Sequence, residues 1–385
     1  MKVVQVLDAV RALPGGATLL RVAHEGVHVV GGTVRDLLRG ETPRELDVVV
    51  EGEVEPLIEA LGGSRQVLYD RFETATVTLR DGARIDVARS RRECYPQPGA
   101  LPEVEPAPLV EDLARRDFSV NAIAVSLSDG RLTEVEGALD DLAARRLRVL
   151  HESSFIDDPT RILRLARYAV RLGFEPEPHT AELAAAATYD GVSLARIGAE
   201  LRLALAEANP LAVLSRIEGL PLAIDEPLAC AALALRPEDA RLDLLLLACA
   251  TLGRANDRWL DGLEFAAAHR DIVLAAWRAP ELARAMEEAH RPSELAAVLW
   301  REPPEAVALA GALGPAEAAR KWLGEFRHVK LEIGGDDLIA AGIEPGPELG
   351  AMLRGVLRRK LDGEIGGGRE AELAAALSAQ DARNR

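Results

Sequence analysis

Val27-His28-Val29-Val30-Gly31-Gly32-Thr33-Val34-Arg35-Asp36-Leu37-Leu38-Arg39-Gly40 is the stretch that decides the fold. Its first four residues are β-rich, as a short strand requires. The glycine pair predicts a tight turn, residues 34–39 a helix, and Gly40 its stop. Such a turn lets backbone approach a phosphate closely, and the helix start presents N–H groups to an anion. Arg35 would add a charged donor. Taken alone, a Gly-Gly turn between strand and helix is usually only a turn.

The next segment changes the weight of that reading. Residues 46–50 (Leu46-Asp47-Val48-Val49-Val50) predict a second strand, preceded by Glu45. Residues i and i+2 on a strand share a face, so Glu45 and Asp47 would sit side by side while Leu46 and Val48 turn into the core. Paired carboxylates repel unless cations lie between them. Two Mg²⁺ ions about 3.5–4 Å apart are the usual reason for this arrangement in phosphoryl-transfer enzymes. Asp86, within Arg84-Ile85-Asp86-Val87, is a candidate third ligand on a neighbouring strand. An acidic edge strand in solvent is the plainer alternative for either strand alone. A phosphate turn, a helix and an acidic strand in close succession favour the metal site.

Around this nucleus, residues 74–79 and 84–88 flank Asp81-Gly82 and predict a hairpin. Residues 93–108 are rich in Pro and Gly and predict a mobile loop. Residues 121–127 predict a further strand before a turn at Asp129-Gly130. Beyond about residue 150 strand signals vanish. Helical spacing runs through 159–172, 193–207, 240–252, 280–290 and 347–361, without a repeat period that would make a solenoid. The expected class is α+β: a mixed-sheet head of residues 1–150 followed by an all-helical remainder.

The 385 residues are 48% hydrophobic and 28% charged, a globular composition. With 46 basic and 62 acidic residues, the formal net charge is −16. That argues against a protein that coats nucleic acid through bulk positive charge, but not against one with a local basic stripe. Four basic residues are lysine and the rest arginine, whose planar fork suits fixed contacts to phosphate and base edges, although a GC-rich genome gives the same bias. Cys94, Cys230 and Cys249 are widely spaced, which argues against a disulfide framework or zinc site. The opening MKVVQVLDAVRAL does not read as a signal peptide, and no apolar run reaches membrane-spanning length. A cytoplasmic protein without a membrane partner is the expectation.

Two further segments carry chemistry. Arg115-Arg116-Asp117-Phe118-Ser119-Val120-Asn121 places two arginines where they could hold triphosphate oxygens by charge-assisted, bidentate contacts. In Asp157-Asp158-Pro159-Thr160-Arg161, Pro159 suits a helix first turn, with Asp157 or Asp158 as its cap. Arg161, Arg164 and Arg167 follow at steps of three. Asp158 and Arg161 would project together from the first turn. Cytosine and adenine each offer an amino donor beside a ring-nitrogen acceptor, so an aspartate and an arginine can read both. Uracil and guanine present the opposite polarity.

In this order, the four motifs resemble the class II tRNA nucleotidyltransferase and bacterial poly(A) polymerase family, within the DNA polymerase β superfamily. The family pattern GGxVRD, DxD, RRDFxxNA and (E/D)DxxR with LGF is matched by Gly31 to Asp36, Glu45 to Asp47, Arg115 to Ala122, and Asp157 to Arg161 with Leu172-Gly173-Phe174. A fifth signature, SxERIxxEL, resembles Ser193 to Leu201, with Ala195 in place of the usual Glu. The resemblance implies a polymerase-β-like head over 1–150, a helical neck with the nucleotide-selecting helix over 151–215, and a tRNA-binding body and tail over 216–385. It implies Mg²⁺ held by Glu45 and Asp47. Gly31, Gly32, Arg35 and Arg116 would meet the nucleotide's phosphates. Asp158 and Arg161 would select CTP and ATP, and Arg164 and Arg167 would line the pocket. The implied activity is addition of C and A to the tRNA 3′ end, with CC-only, A-only or poly(A) synthesis as relatives of that activity. Glu45 stands where the family usually has Asp, and this motivates one further alternative, a catalytically weakened nucleotide- or RNA-binding relative. Arg354, Arg358, Arg359 and Lys360 form a second basic row in the proposed tail.

Overall fold

In the computed structural model, which describes residues 4–69 and 73–383, the chain divides into two units, Met1–Asn209 and Pro210–Arg385. The first opens with helices α1 (Val4–Ala12) and α2 (Gly16–Val22), then β1 (Val27–Val30), α3 (Gly32–Arg39), β2 (Asp47–Val50) and α4 (Glu55–Leu61). Strands β3 (Ser64–Tyr69), β4 (Thr74–Thr78), β5 (Arg84–Arg89), β6 (Arg91–Cys94) and β7 (Glu103–Pro106) follow. Next come α5 (Leu109–Ala114), β8 (Ile123–Ser126), β9 (Leu132–Glu134), α6 (Ala138–Ala144) and β10 (Arg146–Leu147). The unit ends with α7 (Ser154–Asp157), α8 (Thr160–Leu172), β11 (Glu175–Pro176), α9 (Pro178–Ala186) and α10 (Leu194–Leu205).

Seven strands form one mixed sheet in the order β3-β4-β5-β2-β1-β8-β9. All four residues of β1 are buried, because the sheet is covered on both faces there. Val27, Val29, Val48 and Val50 pack on one side with Val10, Leu19, Val34, Leu37 and Leu57 of the first four helices. Val30, Val49 and Ala124 pack on the other with Leu109 and Leu113 of α5. Leu46 and Val48 are buried, as the alternation of the acidic strand requires. A third cluster joins Phe118, Phe155, Leu165, Leu172 and Phe174, and this seats α8 beside the sheet. The hairpin of β4 and β5 forms with Gly82 at its turn, at φ 84°.

One expectation fails. Residues 93–108 are not a plain loop: β6 and β7 pair antiparallel as a two-stranded ribbon. Pro and Gly occupy its tip. Its legs are held by cross-strand charge, Arg92 lying opposite Glu105 with an N–O distance of 2.5 Å. The tip is docked as well, since the Gly99 N–H donates to the Ile156 carbonyl at 3.2 Å.

The second unit is helical among its described residues, from α11 (Pro210–Leu214) to α22 (Arg369–Arg383). The apolar run Leu244 to Ala250 lies wholly buried within α13 (Leu242–Thr251), a core helix as its length predicts. Gly335-Asp336-Asp337 opens a helix over Gly335–Ala340, where the Asp337 carboxylate accepts the Gly334 N–H at 2.7 Å. The basic row lies along α21 (Pro347–Leu361), where Lys360 pairs with Glu372 and Arg359 with Glu364. No helix among the described residues is long and apolar enough to cross a membrane.

Candidate active site

The first unit holds a cavity of about 500 Å³ at the start of α3. Gly31 and Gly32 form one part of its wall. Gly31 has φ +63°, and a Cβ there would stand 2.8 Å from Arg116 Nη1. The positive φ favours glycine here, and a Cβ would also press on the Arg116 guanidinium. No side chain caps α3, so its first N–H groups are not bonded by a capping side chain.

Thr33 ties this turn to the acidic strand. Its hydroxyl accepts the Asp47 N–H at 2.9 Å and donates to the Glu45 carbonyl at 3.0 Å. On the other side β2 pairs parallel with β5, with Asp47 in register with Asp86. The structure therefore brings Glu45, Asp47 and Asp86 together: one carboxylate oxygen of each lies within 4.8 Å of the others. The Asp86 carboxylate is oriented by Thr76, whose hydroxyl donates to it at 2.5 Å. Burial pushes the Asp47 carboxyl up from 3.8 to about 6, and the neighbouring Glu45 and Asp86 charges push the same way, against Arg116 and Arg35. Clustered carboxylates are the ligands that hard divalent cations take. Three carboxylate oxygens brought within 4.8 Å of one another form an all-oxygen donor set, which fits a hard cation.

Arg115 and Arg116 follow α5 on the cavity wall. Both are anchored by Asp112, which is fully buried and accepts from Arg115 Nη2 at 2.6 Å and Arg116 Nη2 at 2.8 Å. Burial would push the Asp112 carboxyl up, but the two guanidiniums outweigh it and hold it below its ordinary value. Arg115 also donates to Glu93 at 2.7 Å. Arg116 Nε is buried without a partner among the described residues.

Asp158, Arg161 and Arg164 stand on the same wall at the start of α8. Arg161 donates to Ser154 Oγ at 2.6 Å and to the Arg115 carbonyl at 2.7 Å. Arg164 donates to Asp117 at 2.6 Å. Burial would raise the Asp117 carboxyl, yet Arg164 and the Asn121 side-chain amide bring it down to about 2. Two expected pocket residues stand behind the wall rather than on it. Arg35 is buried and turned onto Asn121 at 2.5 Å and Asp36 at 2.8 Å, with its guanidinium 5.6 Å from the centre of the Tyr168 ring. Arg167 is buried against Glu200 at 2.6 Å and Glu207 at 3.3 Å. Residues distant in sequence hold both guanidiniums, Asn121 for Arg35 and Glu200 with Glu207 for Arg167, which spacing alone does not reveal.

Glu93, Tyr95, Asp117, Asn121, Tyr168, Arg196 and Glu200 also line the cavity. None was singled out by spacing. Asp117 and Asn121 lie inside the double-arginine motif, and Glu93 and Tyr95 face the cavity from β6 and the start of the ribbon tip at i, i+2. The described lining carries five arginines against five carboxylates.

Residues 27–148 match the family model described as the poly A polymerase head domain. Over 192 residues the chain is 46% identical to the CC-adding tRNA nucleotidyltransferase of Deinococcus radiodurans, covering 47% of this chain and 50% of that one. Over 205 residues it is 40% identical to the A-adding tRNA nucleotidyltransferase of Halalkalibacterium halodurans, covering 50% and 48%. The chain spans about half the length of these curated relatives. The solved CCA-adding enzyme of Thermotoga maritima complexed with tRNA is similar over 99% of both chains, with a TM-score of 0.77 and 26% identity. The fold is thus of the nucleotidyltransferase type. Residues 27–148 belong to the poly A polymerase head-domain family, and the chain is similar over about half its length to CC- and A-adding tRNA nucleotidyltransferases and over nearly all of it to a solved CCA-adding enzyme.

Proposed function

We propose that the protein adds C and A nucleotides from CTP and ATP to the 3′ end of tRNA, without a nucleic-acid template. The observation that carries this reading is the placement of Asp158 and Arg161 on one cavity wall with Gly31, Gly32, Arg116 and Asp47. A base-reading pair, a phosphate turn and an acidic strand then serve a single nucleotide. Asp158 accepts from the exocyclic amino group of cytosine or adenine, and Arg161 donates to the adjacent ring nitrogen. Uracil and guanine place donors and acceptors the wrong way round. The N–H groups at the start of α3 and the Arg116 guanidinium take triphosphate oxygens, and Asp112 keeps Arg116 in place. Arg35 acts through Asn121 and Arg167 through Glu200, since each holds a residue of the wall. Arg164 is locked to Asp117 and shapes the wall beside them.

The tRNA 3′-hydroxyl attacks the α-phosphate in line, the bond to the β-phosphate breaks, and pyrophosphate leaves. Magnesium held by Glu45 and Asp47, with Asp86 as third carboxylate, would supply Lewis acidity toward the hydroxyl and neutralise charge on the leaving group. Glu45 offers the same oxygen chemistry as the usual aspartate, and its carboxylate reaches the other two. The head of residues 1–150 carries this chemistry, the neck of 151–215 selects the nucleotide, and the body and tail of 216–385 hold the tRNA.

The test is incorporation of CTP and ATP into tRNA lacking its 3′ end, with Mg²⁺ present. Growth past CC that stops after A marks a full CCA enzyme. A halt at CC, or addition only to a CC end, marks a partial one, and long A tails mark a poly(A) polymerase. Failure of the folded protein with both nucleotides overturns the reading, and CTP binding without turnover marks a weakened relative.

A further inference from the structure

Asp158 is not held symmetrically. Its Oδ1 accepts three hydrogen bonds: from the Thr160 N–H at 3.0 Å, the Thr160 hydroxyl at 2.6 Å and Arg196 Nη2 at 2.7 Å. Its Oδ2 carries none from the described residues. A free aspartate turns broadly about its last torsion and presents either oxygen. Here one oxygen is fixed from two sides, which leaves the other as the acceptor at the cavity.

Two of the three bonds come from Thr160, two residues along the chain. The third comes from Arg196, in the first turn of α10, and reaches further. Arg196 Nη1 donates to the Gly99 carbonyl at 2.7 Å, at the tip of the β6–β7 ribbon. Gly99 has φ +71°, and a Cβ there would stand 2.7 Å from the Gly191 carbonyl carbon and 2.8 Å from the Asp190 oxygen. Ribbon tip and the turn before α10 therefore meet backbone against backbone. Arg196 spans that junction and ends on Asp158. With one terminal nitrogen on the tip and the other on the carboxylate, its planar fork ties the two together in a set geometry.

We infer that Arg196 is a positioning residue for base selection: braced on the ribbon tip, it holds Asp158 so that Oδ2 faces the amino group of the incoming base. The inference rests on the base-reading role proposed for Asp158. Loss of the brace leaves only the two Thr160 bonds on Oδ1, from one side, so the carboxylate is held more loosely and Oδ2 is less firmly aimed at the amino donor rather than the oxo group of uracil.

The experiment measures kcat/KM for CTP and for UTP in single-nucleotide addition to tRNA lacking its 3′ end. It uses the full chain and the Arg196→Gln and Arg196→Lys variants, each checked for folding by circular dichroism and melting. The expected result is a fall in the CTP-over-UTP ratio of about tenfold for Gln, the scale on which a lost selective contact acts, and a smaller fall for Lys, which keeps the charge but not the fork. Should the Gln variant fail to fold, the Lys variant decides. Equal proportional losses for CTP and UTP, or an unchanged ratio, overturn the inference and mark Arg196 as structural. A wild-type chain that incorporates neither nucleotide overturns the functional reading itself.

Discussion

Replacing Asp47 by Asn should stabilise the metal-free protein while abolishing nucleotide transfer. Asp47 is half-buried beside Glu45 and Asp86, and its carboxyl is raised from 3.8 to about 6. An acid raised on folding binds its proton more tightly in the folded chain. Between pH 4 and pH 6 the unfolded chain sheds that proton first, so stability falls as pH rises through this window and stays low above it. At about 1.4 kcal/mol for each pH unit, the displacement costs ~3 kcal/mol at pH 8, an upper value because part of the charge is screened by water. No described residue hydrogen-bonds the Asp47 carboxylate, so the amide sacrifices no such bond. In urea at pH 8 with EDTA, the Asn variant should unfold at a midpoint about 1 M higher, for a slope of about 2 kcal/mol per molar. The gain should vanish near pH 4, where both chains are neutral at this site. Millimolar magnesium chloride should raise the wild-type midpoint more than that of the variant. An Asn variant no more stable than wild type at pH 8 in EDTA would refute the electrostatic account of the acidic triad.

Thr33→Val keeps the shape of the side chain but strands the Asp47 N–H and the Glu45 carbonyl; urea unfolding should show a loss of about 2 kcal/mol, and an unchanged midpoint would remove Thr33 as the tie between turn and strand. Asp112→Asn takes the shared counter-charge from Arg115 and Arg116 inside a buried cluster; a loss of about 3–5 kcal/mol is expected by the same measurement, and a loss below about 1 kcal/mol would mean that Glu93 suffices. Gly99→Ala puts a Cβ into the Gly191 backbone at a left-handed position, at a cost of about 1–3 kcal/mol. Limited proteolysis should then cut the ribbon tip, residues 95–102, faster than in wild type, and equal cleavage rates would show that the tip is held by other contacts.

The head was legible because its signals are local. The strand, glycine turn and helix of 27–39 need only neighbouring residues, and the alternation of Glu45, Leu46 and Asp47 shows which side chains share a face. Asp86 was reachable as well, since an acid inside a short β-rich run has few places to point. The ribbon was not, because proline and glycine at its tip outweighed the charged legs, whose pairing of Arg92 with Glu105 spans a turn that spacing does not measure. The arginines were harder still. Arg35 and Arg167 sit in the expected motifs, yet Asn121 and Glu200, far along the chain, decide that both stand behind the wall. The Arg196 to Asp158 contact crosses from one signature to another, and the signature holding Arg196 was the one weakened by Ala195.

The balance of five guanidiniums and five carboxylates around the cavity alters what binding means there. A polyanion entering this wall does not fall onto waiting positive charge. Arg115, Arg116, Arg164 and Arg196 already carry carboxylate partners, so much of their charge is balanced before it arrives. Salt weakens those internal pairs along with the incoming ones. Nucleotide affinity should therefore vary with ionic strength much less steeply than five arginines would suggest, and stray phosphate should compete poorly for the site.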